Sequence, residues 1–86
     1  MMTCPLTLRQ AVGQLLIEME DEYLSDIADM EEKELVSLHH SLGRQIRNNF
    51  GLWDRNKALV FDCGSDHADE ASGMIIESLW AALREI

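Results

Sequence analysis

The chain has 86 residues, nearly half of them apolar and about a quarter charged, with five glycines and one proline. That is the composition of one folded domain, not of a disordered segment. Sixteen acidic residues against seven basic ones leave a formal charge of −9, which repels phosphate backbones at long range and disfavours nucleic acid as a partner.

Thr7-Leu8-Arg9-Gln10 has the form of a capping box and predicts a first helix. Its apolar stripe is Leu8, Ala11, Val12, Leu15, Leu16 and Met19, recurring at three- and four-residue steps. Residues 18–34 carry nine carboxylates and one lysine, yet Tyr23, Leu24, Ile27 and Met30 keep enough apolar spacing for a short helix or turn. Asp29 is the expected N-cap of the next helix, with Glu31, Glu32 and Glu34 set against the positive end of its dipole.

Leu35, Leu38, Leu42, Ile46 and Phe50 predict one long helical stripe, ended by Gly51 as the residue beyond its C-cap. Leu52 and Trp53 follow as a hydrophobic lock, and Trp53 and Trp80 are both expected as core anchors. Residues 58–61 form an apolar run that period alone leaves open between a helical turn and an extended piece. After a loop at residues 63–67, Ser65 or Asp66 is placed to cap a last helix with apolar positions Ala71, Met74, Ile75, Leu79, Trp80 and Leu83. The expectation is a single all-α domain over residues 1–86, a small bundle of about four helices with two or three of them long.

No apolar run approaches the roughly 20 residues of a bilayer span, and Met1 to Pro5 lack the basic and apolar regions of a signal peptide. The expected location is the cytoplasm, without a membrane partner. Cys4 and Cys63 are isolated thiols, expected to be reduced there, and their spacing does not tell whether they meet.

Residues 38–53, LHHSLGRQIRNNFGLW, together with 67–76, HADEASGMII, resemble the LHxxLGxxIRNxxGLW and HPDDxSGxII signatures of a family of small bacterial domains of unknown function. The likeness runs over roughly residues 5 to 83, with the motifs in the region of residues 35–83. It implies a shared fold and no particular activity. Ala68 departs from the pattern at a position where the family has proline, the residue suited to the first turn of a helix.

On one continuous helix His39, Gly43 and Arg47 would project along a line at i, i+4 and i+8, with Gly43 leaving room for a close approach. The second motif adds His67, Asp69, Glu70 and Ser72, so Arg47 is expected to pair with Asp69 or Glu70. This set, with Asn48 and Trp53, reads either as a polar ligand pocket or as an internal network that fixes how two helices cross, Asn48 and His67 serving as caps. The adjacent pair His39 and His40 points to different sides of a helix and gives no chelate spacing, so no metal and no cofactor is expected. Neither Ser72 nor Cys63 lies in the local context of a nucleophile, so no catalytic residue is assigned and the chain is not read as an enzyme. Arg44, Arg47, Arg55 and Lys57 gather around Trp53 as a basic-aromatic patch that balances the acidic connector.

Two functions fit these residues. The first is an acidic protein-binding domain of the inhibitor or immunity type, meeting a basic partner surface through Glu18, Glu20, Asp21, Glu22 and Asp26. The second is a regulatory module that takes a small ligand at His39, Arg47 and Asp69. Neither reading carries an oligomeric state.

Overall fold

The protein is described from a computed structural model covering residues 5–53 and 56–85. It contains α1 (Leu8–Glu18), α2 (Asp21–Ala28), a 3₁₀ helix (Glu32–Leu38), α3 (Leu42–Asn49), α4 (Lys57–Asp62) and α5 (Ala68–Glu85). There is no strand among the described residues, as expected of an all-α domain. At 18 residues α5 is about 27 Å long, and each of the other helices packs on it, α3 most extensively. Ala71, Ile75 and Leu79 are fully buried at four-residue steps, as the spacing predicts. Ser72 and Ile76 are buried beside them and widen the stripe to receive α3. Met74 stays 42% exposed, whereas Trp80 is partly buried with Nε1–H donating to the Met30 carbonyl at 2.8 Å.

The first helix starts where its capping box places it. Thr7 Oγ1 accepts from the Gln10 N–H at 3.1 Å, and Gln10 Oε1 reaches back to the Leu6 N–H at 3.0 Å. The acidic connector is helical through α2, which turns Leu24 and Ile27 into the core. Asp29 is not the next N-cap, because its N–H closes α2 on the Ser25 carbonyl at 3.1 Å. Glu31 takes that role, exchanging hydrogen bonds with Glu34 in a capping box.

The long helix expected over residues 35–50 is two elements. The 3₁₀ helix repeats at three residues per turn and buries Leu35 and Leu38 at that spacing. The chain then turns through His39, His40 and Ser41 before α3 begins. His39 is thus not on the helix that bears Gly43 and Arg47, and the three do not form a line. The break frees backbone carbonyls that a continuous helix would have used. Arg47 Nη2 donates to the one at His39 at 3.2 Å.

At the far end of α3, Gly51 adopts φ 69° and the Leu52 N–H bonds the Arg47 carbonyl at 3.0 Å, the Schellman closure that the glycine predicts. Leu52 is buried, but Trp53 is 60% exposed and is no core anchor. Its ring lies outside α3, with Nε1–H donating to Asn48 Oδ1 at 3.1 Å. The open choice at residues 58–61 resolves as α4, because Asn56 caps it by accepting the Leu59 N–H at 3.3 Å. Neither Ser65 nor Asp66 caps α5 in the simple sense. Ser65 Oγ accepts the His67 N–H at 3.0 Å, and Asp66 pairs instead with the His67 ring at 3.4 Å. The helix begins at Ala68, so the family's proline position is the first helical residue, where a missing N–H is harmless.

Asn56 joins three segments at once. Besides capping α4 it donates through Nδ2 to the carbonyls of Pro5 at 2.7 Å and Phe50 at 2.8 Å, all within the interior. Removing it orphans two buried acceptors and a cap, so Asn56→Ala should cost about 2–3 kcal/mol. In thermal unfolding followed by circular dichroism the midpoint should fall by roughly 10–20 °C. A change within about 2 °C would show that the bonds contribute nothing net.

Candidate functional site

The two sequence motifs meet where α3 crosses α5. Arg47, only 7% exposed, extends across the crossing. Its Nη1 donates to Ser72 Oγ at 2.9 Å, and that hydroxyl donates on to the Asp69 carbonyl at 2.9 Å. Nη2 holds the His39 carbonyl, while Nε makes no hydrogen bond and lies 3.6 Å from Asp69 Oδ1. The Trp53 ring covers the guanidinium from outside, 5.7 Å from its Cζ to the ring centroid. A planar fork with five donors suits a site whose acceptors lie in several directions, which a lysine ammonium would not span.

Gly43 gives this arrangement room. A Cβ there would stand 3.0 Å from Arg47 Nη1 and 3.5 Å from the Leu38 carbonyl. The gap expected at Gly43 is therefore filled by the Arg47 side chain. Of the two carboxylates offered to Arg47, Asp69 makes the contact, and Glu70 instead accepts from Ser65 Oγ at 2.8 Å. His67 is exposed and contributes to α5 through its carbonyl, which accepts the Ala71 N–H at 3.0 Å. Asn48 is exposed and partners Trp53, not a helix end.

The basic-aromatic patch forms in part, with Arg47 under the Trp53 ring and Lys57 on the same groove as Trp53. Arg47 is interior, Arg44 and Lys57 are exposed, and Arg55 lies outside the described residues. Among the described residues no group of three or more His, Cys, Asp or Glu side chains is disposed to hold a metal ion. Among the described residues no helix is long and apolar enough to cross a membrane. Cys63 is buried and its thiol is pushed up to about 11, first by burial and then by the Asp62 carboxylate. Whether it approaches Cys4 lies outside the described residues.

The acidic candidates are all on the surface. Glu18 ends α1, Glu20 precedes α2, and Asp21, Glu22 and Asp26 lie along it. Glu18 and Glu20 border a groove of about 450 Å³ with Met19, Tyr23 and Gln45. Among the described residues none of the five is in an ion pair. Glu18 accepts from Gln14 Nε2 at 2.8 Å.

Two further grooves lie beside the motifs. One of about 520 Å³ runs between the 3₁₀ helix and α5, past His39, Asp69 and Gly73. The other, about 460 Å³, is bordered by Trp53 and by Phe61, which is 75% exposed. Period analysis misses Phe61 and Val36 as surface residues because each sits in an apolar run. Asn56 was detectable as an N-cap residue ahead of one.

Arg47→Lys keeps the charge but loses the fork, and should lower stability by about 1–3 kcal/mol. Gly43→Ala should lower it by a similar amount through overpacking. Both are read as a reduced urea midpoint with an unchanged slope. If Arg47→Lys matches the wild type, the network is not what holds the crossing.

Thiol chemistry gives a separate check. In a Cys4→Ser background at pH 8, iodoacetamide should alkylate Cys63 at least about tenfold more slowly than in urea-unfolded chain. The unfolded thiol ionises near 9.0 and the folded one only near 11. The contribution of Cys63 to stability is therefore complete below pH 9 and is lost as pH rises toward 11. Equal alkylation rates would mean that Cys63 is open to solvent.

The profile of a domain of unknown function (DUF6794) matches residues 4–83, taking in every helix described above except the last two residues of α5. No curated protein and no solved structure matches the chain. With both motif segments and the whole α3–α5 crossing inside the match, the chain belongs to the DUF6794 family.

Proposed function

We propose that this domain binds another protein, and that its acidic α1–α2 face docks on a basic surface. Where that surface is an active site, the domain acts as an inhibitor or immunity-type protein. The observation that carries the reading is where the carboxylates sit. Glu18 lies in the last turn of α1, and Asp26 and Asp29 lie at the end of α2, where the helix dipole is negative and no basic residue occupies either last turn. Glu22 and Asp26 add a like-charge pair at i, i+4. Each placement works against helix stability by a few tenths of a kcal/mol. Charges kept at their own helices' expense are what a surface selected for a basic partner would carry.

A small-ligand site at His39, Arg47 and Asp69 has less support, because Nη1 and Nη2 of Arg47 are already hydrogen-bonded within the domain and its charge faces Asp69. A cytoplasmic location agrees with the free, buried thiol of Cys63.

The test is capture from native lysate at low and moderate salt, with mass spectrometry, using wild type and a Glu18→Lys, Glu20→Lys, Asp26→Lys variant. The variant should stay folded, since lysine suits the C-terminal ends of α1 and α2 at positions 18 and 26 and offsets what it costs at position 20, the N-cap of α2, and it should lose a basic protein that the wild type retains. Retention of the same protein by both would overturn the assignment of this face.

A further inference from the structure

We infer that the groove between the 3₁₀ helix and α5 seats a short, basic, amphipathic helix from a protein partner. The inference rests on the reading of the domain as a binder of basic proteins, and adds a second contact surface with its own occupant. Val36 on one wall and Met74 on the other are 72% and 42% exposed, above buried Leu35 and Ile76. The charged residues on the groove are Glu32, Asp69, Glu70 and Glu77, all exposed, and no lysine or arginine lines it. Asp69 meets Arg47 and Glu70 meets Ser65. Glu32 and Glu77, one on each wall, make no ion pair among the described residues. An apolar floor between unneutralised carboxylates complements a helix with an apolar stripe flanked by lysine or arginine.

Gly73 indicates how such a helix would seat. Asp69, Gly73 and Glu77 follow one another at four-residue steps along α5, so the wall has a carboxylate, a notch and a carboxylate over about 12 Å. A Cβ at Gly73 would meet only His39 Cε1, at 3.6 Å. Packing inside the domain therefore does not demand glycine there, and glycine within a helix is unfavourable. The notch accepts one large apolar anchor, and Met74 beside it can adjust its side chain to the anchor's shape. Self-association through this face is opposed by its own charge, since two copies would set acidic walls against each other.

The experiment titrates the ¹⁵N-labelled full chain, at physiological ionic strength, with a synthetic Lys/Leu peptide of about four helical turns whose leucines share one face. A control peptide has the same composition with the leucines spread around the helix. The amphipathic peptide should shift the amides of Val36, Gly73, Met74 and Glu77 and bind at least about tenfold more tightly than the control. Gly73→Leu, which fills the notch with a good helix former, should weaken it by about tenfold. Should that variant melt early, the pair Val36→Ser and Met74→Ser serves instead.

Equal affinity for both peptides, no binding, or shifts confined to α1 and α2 would each overturn the groove. The Glu18→Lys, Glu20→Lys, Asp26→Lys variant should keep peptide affinity within about threefold, because at that salt distant charges are screened. Failure of that variant to lose a lysate partner would overturn the acidic-face reading, while the groove is judged on the peptide shifts.

Discussion

The fold depends on one helix, α5, burying a broad stripe formed by Ala71, Ser72, Ile75, Ile76 and Leu79. α5 receives α1, α2, the 3₁₀ helix, α3 and α4, so those elements are positioned through it more than through each other. An 86-residue chain buries a smaller share of its surface than a larger domain can. Placing the longest helix at the centre offsets this. Ala71, Ile75, Ile76 and Leu79 are removed from water almost completely. Ala71 and Ser72 are small, which lets α3 approach closely without displacing the helices on the other side.

Around that strut the orientation of α3 is set by polar contacts. Hydrophobic burial is non-directional and would accept several crossing angles. A guanidinium reaching Ser72, the His39 carbonyl and Asp69 satisfies all three only in one geometry. The net energy of such a buried group is small or uncertain in sign, because desolvation opposes the gain. Its consequence is specificity of packing. The break before α3 belongs to the same device, since a continuous helix would have used the His39 carbonyl internally.

Charge is distributed by a different logic. Some carboxylates serve the fold: Glu31 and Glu34 close the 3₁₀ helix, and Asp69 and Glu70 sit in the first turn of α5. Others oppose it. Those at the ends of α1 and α2, and those facing each other across the groove beside Val36 and Met74, are not neutralised within the domain. At a formal charge of −9 the molecule as a whole attracts cationic surfaces.

The sequence by itself determined the elements whose signals are local. The Thr7 cap of α1, the Gly51 terminus and the four-residue spacing of Ala71, Ile75 and Leu79 depend only on residues within a few positions of one another, and each is found as read. Membership of the DUF6794 family is likewise a property of the sequence, over residues 4–83. The tertiary structure decided everything that required two segments to compete for one group. It divided the stripe at residues 35–50, where Arg47 takes the His39 carbonyl that a single helix would have kept. It chose Asp69 over Glu70 for Arg47, since α5 turns only the former toward the crossing. It left Trp53 outside, where the ring covers a charge instead of filling the core. Period and composition report how apolar a residue is, but which side of the chain faces another helix is settled only when that helix arrives.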